Sequence, residues 1–439
     1  MQNFSKFKIG VVGLWHLGEI YSACLSELGH DVIGFGADEE TVNNLNKGVP
    51  PLKEPDLEDI LKKNIGLGRL NYSSDFKKIR DCDIVWLAFD TPVDKNDEID
   101  LCPIYDFFKN YSEYFRGGAL IIISSQIPVG TCDIISRLIK KMRPNLEFDV
   151  AYLPENLQLG MAVKSFLKPD RIVVGASNKE TKEKIKNIFS LLKTNFLFMS
   201  AASAEMSKHA LNAFLATSLS FIYDIADLSQ EAGADITDVS KALRADKRIG
   251  AGAYLDAGIG FSGGTLARDL KIIANKGLEL NIETPVISAV FQKNYSRPGK
   301  AISYLQKYLG QLKDKKVSIY GLTYKPGTST LRRSLSIEII NKLKGAGVDI
   351  SACDPEALQD EVRKLGIKFS KDHYICAKGS QAAIFITNWP EFKNIDLGRL
   401  KAQMSEPFIF FDTRNFFQDK EKEIRGLGFF YIGIGRAIF

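Results

Sequence analysis

Residues 258–269 hold the pattern of residue types that most directly suggests chemistry. Four glycines occur among the seven residues 258–264, so a stretch of backbone lacks side chains and a ligand can approach it closely. The apolar run that starts at Leu270 predicts that a helix begins there. A glycine-rich loop before a helix offers free N–H groups and the positive end of the helix dipole to an anion. A sharp turn without a ligand is the alternative, because glycine is common wherever a turn needs positive φ.

A second candidate is the pair Lys208 and Asn212, which are four residues apart and share one face of a predicted helix. Apolar residues recur with helical spacing over residues 204–233, and no proline interrupts them. At a rise of about 1.5 Å per residue this helix spans about 45 Å, enough to connect two domains and to form a subunit contact. A solvated helix surface is the plain alternative for the pair.

The first residues of the chain predict a βαβ unit of the dinucleotide-binding kind. An apolar strand over residues 7–12 leads into a tight turn between Gly13 and Gly18. A helical pattern follows, and a second strand begins at Asp31. A structural turn between strand and helix, without a nucleotide, is the alternative.

The glycine pattern of this turn is incomplete. Trp15 stands at the position of the second glycine, where a pyrophosphate approaches the backbone. Gly36 stands where an acidic residue usually ends the second strand, so Asp38 is the nearest carboxylate for a ribose hydroxyl. No basic residue accompanies Gly36 and Asp38, which disfavours the 2′-phosphate of NADP.

Two further apolar runs support a parallel sheet in this domain. Residues 83–88 and 119–123 have the composition of buried parallel strands, with helical patterns between them. Thr91 follows the first of these strands and Gln126 follows the second. Because ligands of open parallel sheets bind at the carboxyl ends of the strands, these positions are predicted to lie near a nucleotide.

The pattern of the first domain returns after Pro298. A strand at 316–320 precedes a loop, a helix and a second strand at 348–352. The chain is therefore predicted to be an α/β protein, with two Rossmann-like parallel-sheet domains joined by a long central helix. The predicted domains are 1–200, a Rossmann-like domain with a dinucleotide-sized crevice; 201–298, a helical linker that can form a subunit contact; and 299–439, a second Rossmann-like domain with a nucleotide-sized crevice.

Composition excludes several functional classes. The chain of 439 residues has 45% hydrophobic and 25% charged residues, as is usual for a globular enzyme of two or three domains. Its net charge of +5 is not gathered into a basic patch, so no nucleic-acid partner is predicted. No long apolar run and no secretory leader are recognised, and the six cysteines lack metal-site spacing. We therefore expect a cytoplasmic protein without a membrane anchor or a metal.

Taken in order, the motifs resemble those of the UDP-glucose/GDP-mannose dehydrogenase family, NAD-dependent enzymes that oxidise the C6 alcohol of a nucleotide sugar to a carboxylate. The resemblance extends over the whole chain. The motifs that carry it are 13–18, 51–55, Thr91-Pro92, 128–131, 154–157, Lys208 with Asn212, 258–269, 321–326 and 412–415.

The resemblance implies roles for individual residues. Lys208 would stabilise a developing oxyanion and Asp269 would act as a base, while Arg248 would reach the site of a neighbouring subunit. The implied catalytic residues are Glu155, Lys208, Asn212, Thr265 and Asp269. The implied substrate-binding residues are Arg248, Gly258, Gly260, Phe261, Gly263, Lys325 and Arg414. The implied cofactor-binding residues are Gly13, Trp15, Leu17, Gly18, Asp38, Thr91, Gln126 and Arg332.

The chain departs from the family most sharply at Thr265. Members of the family have a cysteine there, whose thiolate attacks the C6 aldehyde and carries it through a thioester. A hydroxyl is a much weaker nucleophile without an adjacent base, and no cysteine lies between Cys132 and Cys353. Other departures are Arg268 for a lysine, Gln126 for a threonine and Leu159 for a glutamate.

The resulting hypothesis is a homodimeric, NAD-dependent dehydrogenase that oxidises a nucleotide-diphosphate sugar, with UDP-hexose favoured, at C6 towards the uronic acid for polysaccharide biosynthesis. Two alternatives remain open at this stage. Oxidation can stop after two electrons at an aldehyde or ketone sugar, or the chain can be a catalytically silent nucleotide-sugar-binding subunit. The sequence does not distinguish the sugar or the base, and it does not fully settle NAD against NADP.

Overall fold

The computed structural model describes residues 5–52, 54–92, 98–155, 157, 160–262 and 264–437. Two of the residues singled out above, Gly263 and Leu159, lie outside these described residues. The chain divides into two compact units, Met1–Leu211 and Asn212–Phe439.

The first unit contains one sheet with helices in the connections between strands. Its strands are β1 (Lys8–Val12), β2 (Asp31–Phe35), β3 (Leu70–Ser73), β4 (Ile84–Leu87), β5 (Ala119–Ile123), β6 (Phe148–Tyr152), β7 (Arg171–Gly175) and β8 (Asn195–Met199). Its helices are α1 (His16–Glu27), α2 (Glu39–Asn46), α3 (Leu57–Gly66), α4 (Cys102–Tyr111), α5 (Thr131–Met142), α6 (Ala162–Leu167) and α7 (Lys179–Ile188), with 3₁₀ turns at Phe76–Asp81 and Ser112–Tyr114.

The sheet of the first unit has the order β3-β2-β1-β4-β5-β6-β7-β8. Neighbouring strands are parallel except β6 and β7, which meet only at Tyr152 and Gly175. The order reverses between β1 and β4, so the Rossmann crevice lies at their carboxyl ends. Strand β5 is buried along its whole length, and separate apolar clusters cover the two faces of the sheet.

The second unit contains a smaller sheet of the same kind. Its strands are β9 (Lys316–Tyr320), β10 (Asp349–Cys353), β11 (Lys368–Phe369), β12 (Ala382–Phe385), β13 (Ile409–Asp412) and β14 (Phe430–Gly433), in the order β11-β10-β9-β12-β13-β14. All neighbours are parallel. The first strand again lies at the point where the order reverses.

The remaining helices lie before and between these strands. Helix α8 (Ala201–Glu231) begins in the first unit and ends in the second. The others are α9 (Ile236–Ala245), α10 (Gly264–Glu279), α11 (Pro285–Leu309), α12 (Leu335–Gly345), α13 (Gln359–Arg363), α14 (His373–Ala377), α15 (Leu397–Gln403) and α16 (Glu421–Gly426), with 3₁₀ turns at Pro390–Asn394 and Gln418–Lys420.

The predicted fold class is confirmed. Helix α8 is a single helix of 31 residues, close to the span that the apolar spacing predicted. The division between the compact units falls inside this helix, and helix α11 continues through Pro298, where we expected the third domain to begin. The division into three functional domains therefore stays a prediction.

One predicted boundary is wrong. Helix α10 begins at Gly264, not at Leu270, so Thr265 and Asp269 lie inside the helix and not in the loop before it. The residues that follow the last glycine include leucine and alanine, which favour helix, so glycine content alone overstated the length of the loop.

Among the described residues, no helix combines the length and the apolar character that crossing a membrane requires.

Candidate functional site

The turn between β1 and α1 has the close approaches that a dinucleotide-binding turn requires. Gly13 has a φ of +99°, which side chains disfavour. A Cβ atom at Gly18 would lie 1.6 Å from the carbonyl oxygen of Gly13, so only glycine lets α1 pack against the turn. In the described part of the chain no side chain caps the first turn of α1, whose N–H groups can therefore face an anion.

We expect Gly18→Ala to raise the Kd for NAD by about tenfold or more, because the added methyl group displaces the start of α1. Isothermal titration calorimetry measures this effect. Gly66→Ala is the matched control, because a Cβ atom at this glycine of α3 meets nothing within 4 Å. Equal NAD affinity of the two variants and the wild type would remove the turn from the cofactor site.

The structure explains two departures from the glycine pattern. Trp15 has φ −114° and ψ −167°, an extended conformation that needs no glycine, and its side chain is half exposed. A Cβ atom at Gly36 would lie 2.8 Å from Leu14 Cδ1, so Leu14 fills the space of a side chain at the end of β2. Leu17 packs against the core beneath the turn. The turn keeps its shape with different residues.

Asp38 has a local structural role. Its carboxylate accepts hydrogen bonds from the backbone N–H and the hydroxyl of Thr41, at 2.8 and 2.5 Å, and so caps α2. These hydrogen bonds from Thr41 hold the pKa of Asp38 below its usual value. The carboxylate is exposed near the end of β2, and its predicted contact with a ribose hydroxyl stays a prediction.

Thr91 and Gln126 meet as the strand-end pattern predicts. The Thr91 hydroxyl donates to the Gln126 carbonyl oxygen at 3.0 Å, and both residues are buried. They follow β4 and β5, which are neighbouring parallel strands. The structure therefore brings these two predicted cofactor residues together at the carboxyl edge of the sheet.

Helix α8 holds the segment that follows β5. The buried Glu205 carboxylate accepts hydrogen bonds from the backbone N–H groups of Gly130 at 2.6 Å and Cys132 at 2.8 Å. The His209 ring is 2.8 Å from the carbonyl oxygen of Ile127, which accepts its proton. Glu205 and His209 were not among the predicted site residues. The available signal was helical spacing, because Glu205 lies three residues before Lys208, and His209 lies four residues after Glu205.

The buried Lys208 and the partly buried Glu155 form a polar pair in the first unit. The Lys208 ammonium donates to the Glu155 backbone carbonyl and lies 3.6 Å from the Glu155 carboxylate. The Lys208 side chain is only 6% exposed, so its charge acts in a medium that screens it weakly. Because a buried ammonium at this position can stabilise negative charge on a substrate oxygen, the arrangement suits the predicted role.

Glu54 fixes the segment beyond Glu155. Its carboxylate accepts backbone hydrogen bonds from Gly160 at 2.9 Å and Ala162 at 2.7 Å, and it lies 3.3 Å from the His16 ring. His16 begins α1, directly after the glycine turn. Glu54 therefore joins the Glu155 segment to the first turn of α1. The sequence analysis included it in a family motif without assigning it this role.

Asn212 and Asp269 form the corresponding pair in the second unit. The Asn212 side-chain amide donates to the Asp269 carboxylate. Asp269 is fully buried and Asn212 nearly so. Thr265 lies one turn before Asp269 in α10 and is exposed. The structure thus brings together a carboxylate, its amide partner and the residue at the family's nucleophile position.

The glycine loop, residues 258–262 before α10, is bonded to side chains of α11. Gly260 has a φ of +120°, and a Cβ atom there would lie 3.1 Å from Asn294 Oδ1. Asn294 accepts from the Phe261 N–H at 2.8 Å and donates to the Phe261 carbonyl at 3.3 Å. Arg297 donates to the Gly258 carbonyl through two nitrogens, at 2.5 and 3.2 Å. The sequence analysis missed both side chains, whose spacing of three on a helix was the available signal.

Arg414 packs against the start of the same loop. A Cβ atom at Gly258 would lie 3.3 Å from Arg414 Nη1, so glycine makes room for the guanidinium. Arg414 also lines a cavity of about 440 Å³ beside α9, together with Lys241 and Arg244. Arg244 is paired with Asp256 at 2.9 Å. Asp238 and Asp256 line the same cavity, so its three cations exceed its two carboxylates by one positive charge.

Three other basic residues with predicted binding roles lie on loops of the second unit. Lys325 is half-buried after β9, and its carbonyl oxygen accepts from the Thr328 hydroxyl at 2.8 Å. Arg332 is exposed before α12. Arg248 is 89% exposed and pairs with Asp246 at 2.7 Å. Arg248 is therefore exposed to solvent, and its predicted contact with a neighbouring subunit stays a prediction.

Fold and site together define an oxidoreductase of the two-Rossmann-domain class, and sequence comparison identifies its family. Models of the UDP-glucose/GDP-mannose dehydrogenase family match residues 7–193 as the NAD binding domain, 202–296 as the central domain and 318–419 as the UDP binding domain. The chain belongs to this family.

Individual relatives match over nearly the whole chain. UDP-glucose 6-dehydrogenase TuaD of Bacillus subtilis is 32% identical, with 98% of this chain and 93% of the relative covered. UDP-glucose 6-dehydrogenase of Rhizobium meliloti is also 32% identical, with 98% and 99% covered. A UDP-glucose dehydrogenase structure from Pyrobaculum islandicum has 27% identity and a TM-score of 0.90, covering 100% of this chain and 99% of that one.

Family membership identifies the cofactor of the first unit as NAD. The geometry fits this cofactor. The glycine turn and the uncapped start of α1 suit a pyrophosphate, and Asp38, near β2, is a carboxylate and not a cation.

Proposed function

We propose that this protein oxidises the C6 hydroxymethyl group of a UDP-hexose to the carboxylate, using two molecules of NAD. The observation that carries the proposal is the match of three family segments in order, from the NAD binding domain to the UDP binding domain. NAD supplies the acceptor for the hydride that leaves C6. The residues of the chain bind the two nucleotides and manage protons and charge.

In the second unit, Asp269 is proposed to take the proton from the substrate oxygen. Its burial and its hydrogen bond from Asn212 fix its orientation, as a general base requires. The loop at 258–262, with Arg414 and Lys325, is proposed to bind the nucleotide diphosphate. Backbone N–H groups and cations are the usual partners of phosphate oxygens.

In the first unit, Lys208 is proposed to stabilise negative charge on the C6 oxygen, with Glu155 beside it. The glycine turn with Trp15, Leu17, Thr91 and Gln126 is proposed to bind NAD. Arg332, a residue of the second unit, is proposed to approach the NAD phosphates, the role that the family resemblance implies. The contacts of Lys208 with Glu155 support this assignment, because they hold the ammonium in one place before substrate binds.

Because Thr265 stands where the family has a cysteine, the second oxidation step must proceed without a thiol. We propose that water adds to the C6 aldehyde, and that Asp269 or Glu155 takes a proton from the resulting hydrate, whose hydride a bound NAD would accept. The product is then the carboxylic acid, and the number of electrons and protons balances without a covalent enzyme intermediate.

NADH production with a panel of UDP- and GDP-hexoses tests the function. We expect two NADH per sugar and a uronic acid in the product. One NADH per sugar with an aldehyde or ketone product would contradict the second step, and binding of a nucleotide sugar without any NADH would contradict the enzyme assignment. Comparing UDP- with GDP-sugars identifies the base.

We also propose that two copies associate through α8. Phe214, Phe221 and Leu228 are seven residues apart on this helix and are 70%, 50% and 67% exposed. Side chains at this spacing form one stripe, which a second copy of the same stripe can bury. The exposed Arg248 supports the proposal, because family members place it in a neighbouring subunit's site.

We expect Phe221→Glu to convert the dimer into a monomer, because the charge loses its hydration in a symmetric apolar contact. Light scattering after size-exclusion chromatography measures the mass. Leu191→Glu is the control, since Leu191 is also exposed but belongs to the first unit and not to the stripe on α8. A wild-type monomer at micromolar concentration, or a dimer that survives Phe221→Glu, would contradict the stripe as the interface.

Two further assignments belong to this proposal. We propose the division of function into 1–200 for NAD, 201–298 for association and 299–439 for the nucleotide sugar. We propose a cytoplasmic location, supported by six cysteines that are all free thiols, as is usual in reducing compartments. Cell fractionation with a specific antibody tests the location.

A further inference from the structure

We infer that Arg297 and Asp227 are positioning residues that hold the glycine loop in its ligand-binding shape, an inference that rests on the proposed function of that loop in nucleotide-sugar binding. Neither residue belongs to the motifs that carry the family resemblance. Both lie in the second unit, on α11 and α8 respectively. Their contacts connect an ion pair between the buried Arg297 and the partly buried Asp227 directly to the loop backbone.

The Arg297 guanidinium uses its two sides for different partners. Its Nη1 donates to both carboxylate oxygens of Asp227, at 2.8 and 2.9 Å. Its Nε and Nη2 donate to the Gly258 carbonyl, and the group lies over the Tyr223 ring at 4.9 Å. Arg297 is 2% exposed, so its orientation is fixed on several sides. A planar group of this shape can hold a carboxylate and a carbonyl at once.

The negative charge of Asp227 offsets the free-energy cost of burying the Arg297 guanidinium. Burial acts to raise the pKa of Asp227, but the charges and hydrogen bonds of Arg297 and Lys293 outweigh it and hold the pKa below its usual value. Lys293 lies at 3.1 Å and Lys300 at 3.4 Å from the same carboxylate. The carboxylate therefore remains ionised and fixes the guanidinium near Gly258.

The loop receives a second constraint from the same helix. Asn294 precedes Arg297 by three residues on α11 and bonds to both polar backbone groups of Phe261. Arg297 fixes the loop at Gly258 and Asn294 fixes it at Phe261. The backbone between them is thereby ordered before a ligand arrives, which lowers the entropy cost of binding.

Hydrogen–deuterium exchange in the unliganded protein tests the inference without any substrate. We expect Arg297→Lys to speed exchange in a peptide covering residues 257–262 by about tenfold or more, because lysine keeps the charge but cannot span both partners. Calorimetry should show an affinity for the UDP-hexose reduced by about tenfold to a hundredfold, with the Kd for NAD unchanged. A general loss of structure would instead lower the affinity for NAD as well as the affinity for the UDP-hexose.

Asn294→Ala provides a second variant that leaves no buried charge unpaired, and it should speed the same exchange. Lys300→Ala is the control, because it removes an ion pair with Asp227 while Arg297 still holds that carboxylate; exchange in the loop should stay at the wild-type rate. Folded Arg297→Lys and Asn294→Ala proteins with wild-type exchange and sugar affinity would overturn the inference. If the wild type binds no nucleotide sugar, the proposed function fails, and the exchange rates still decide whether Arg297 and Asn294 order the loop.

Discussion

Thr265→Cys is expected to gain a covalent intermediate and to form acid faster than the wild type, by about tenfold to a hundredfold, because attack on the aldehyde becomes intramolecular. Thr265 is exposed in the first turn of α10, with the buried Asp269 one turn further along. The positive end of a helix lowers the pKa of a thiol at such a position, so a reactive thiolate is available near neutral pH. Intact-protein mass spectrometry with a UDP-hexose and NAD detects the adduct.

Thr265→Ala separates this gain from a role of the hydroxyl itself. If water adds to the aldehyde without help from Thr265, the alanine variant loses only a fraction of wild-type acid formation. A Thr265→Cys protein that binds sugar and NAD normally but yields neither adduct nor additional acid would show that the first turn of α10 does not face C6. The family's covalent route would then be closed by more than one changed residue.

Lys208→Ala is expected to lower kcat by about a hundredfold to a thousandfold, because it removes the charge that stabilises a developing oxyanion. The ammonium is buried and bonded to the Glu155 backbone, so water replaces its field poorly. Steady-state NADH formation gives kcat, and calorimetry gives the affinities for NAD and the sugar.

Two controls define what the Lys208 result means. Lys62→Ala removes an exposed lysine that forms an ion pair with Glu58, one turn earlier in α3. This variant should leave kcat unchanged. Lys208→Arg keeps the charge but places it differently, and we expect partial activity. A loss of affinity with unchanged kcat in Lys208→Ala would contradict charge stabilisation and would make Lys208 a binding residue instead.

Much of the fold was predictable because its strands are short apolar runs bounded by turns. Strand β9 was predicted with its observed limits, and helix α8 nearly so, since parallel strands and long helices leave strong patterns in a sequence. The start of α10 was not predictable from glycine content. Its first residues are compatible with both loop and helix, and only packing in the folded chain decides between them.

The candidate site was predictable where a residue type or spacing carries the information. The adjacency of Thr91 and Gln126 could be predicted from the order of the strands. The pairing of Lys208 with Glu155 could not be predicted in this way. The supports of the glycine loop, Asn294 and Arg297, act on backbone atoms from distant positions in the sequence. Their spacing of three places both on one face of a helix, but it does not indicate which backbone atoms that face contacts, because the loop lies 33 to 39 residues away in the sequence.

The Glu205 carboxylate occupies the start of α5, where a free anion could otherwise bind. Because it is part of the chain, it bonds to the N–H groups of Gly130 and Cys132 without having to bind from solution. Glu205 therefore acts as a permanent internal competitor for that helix. Within the described residues no N-cap side chain bonds to the start of α1, so the connections that follow β1 and β5 differ in whether a side chain of the protein already holds the first N–H groups of the helix.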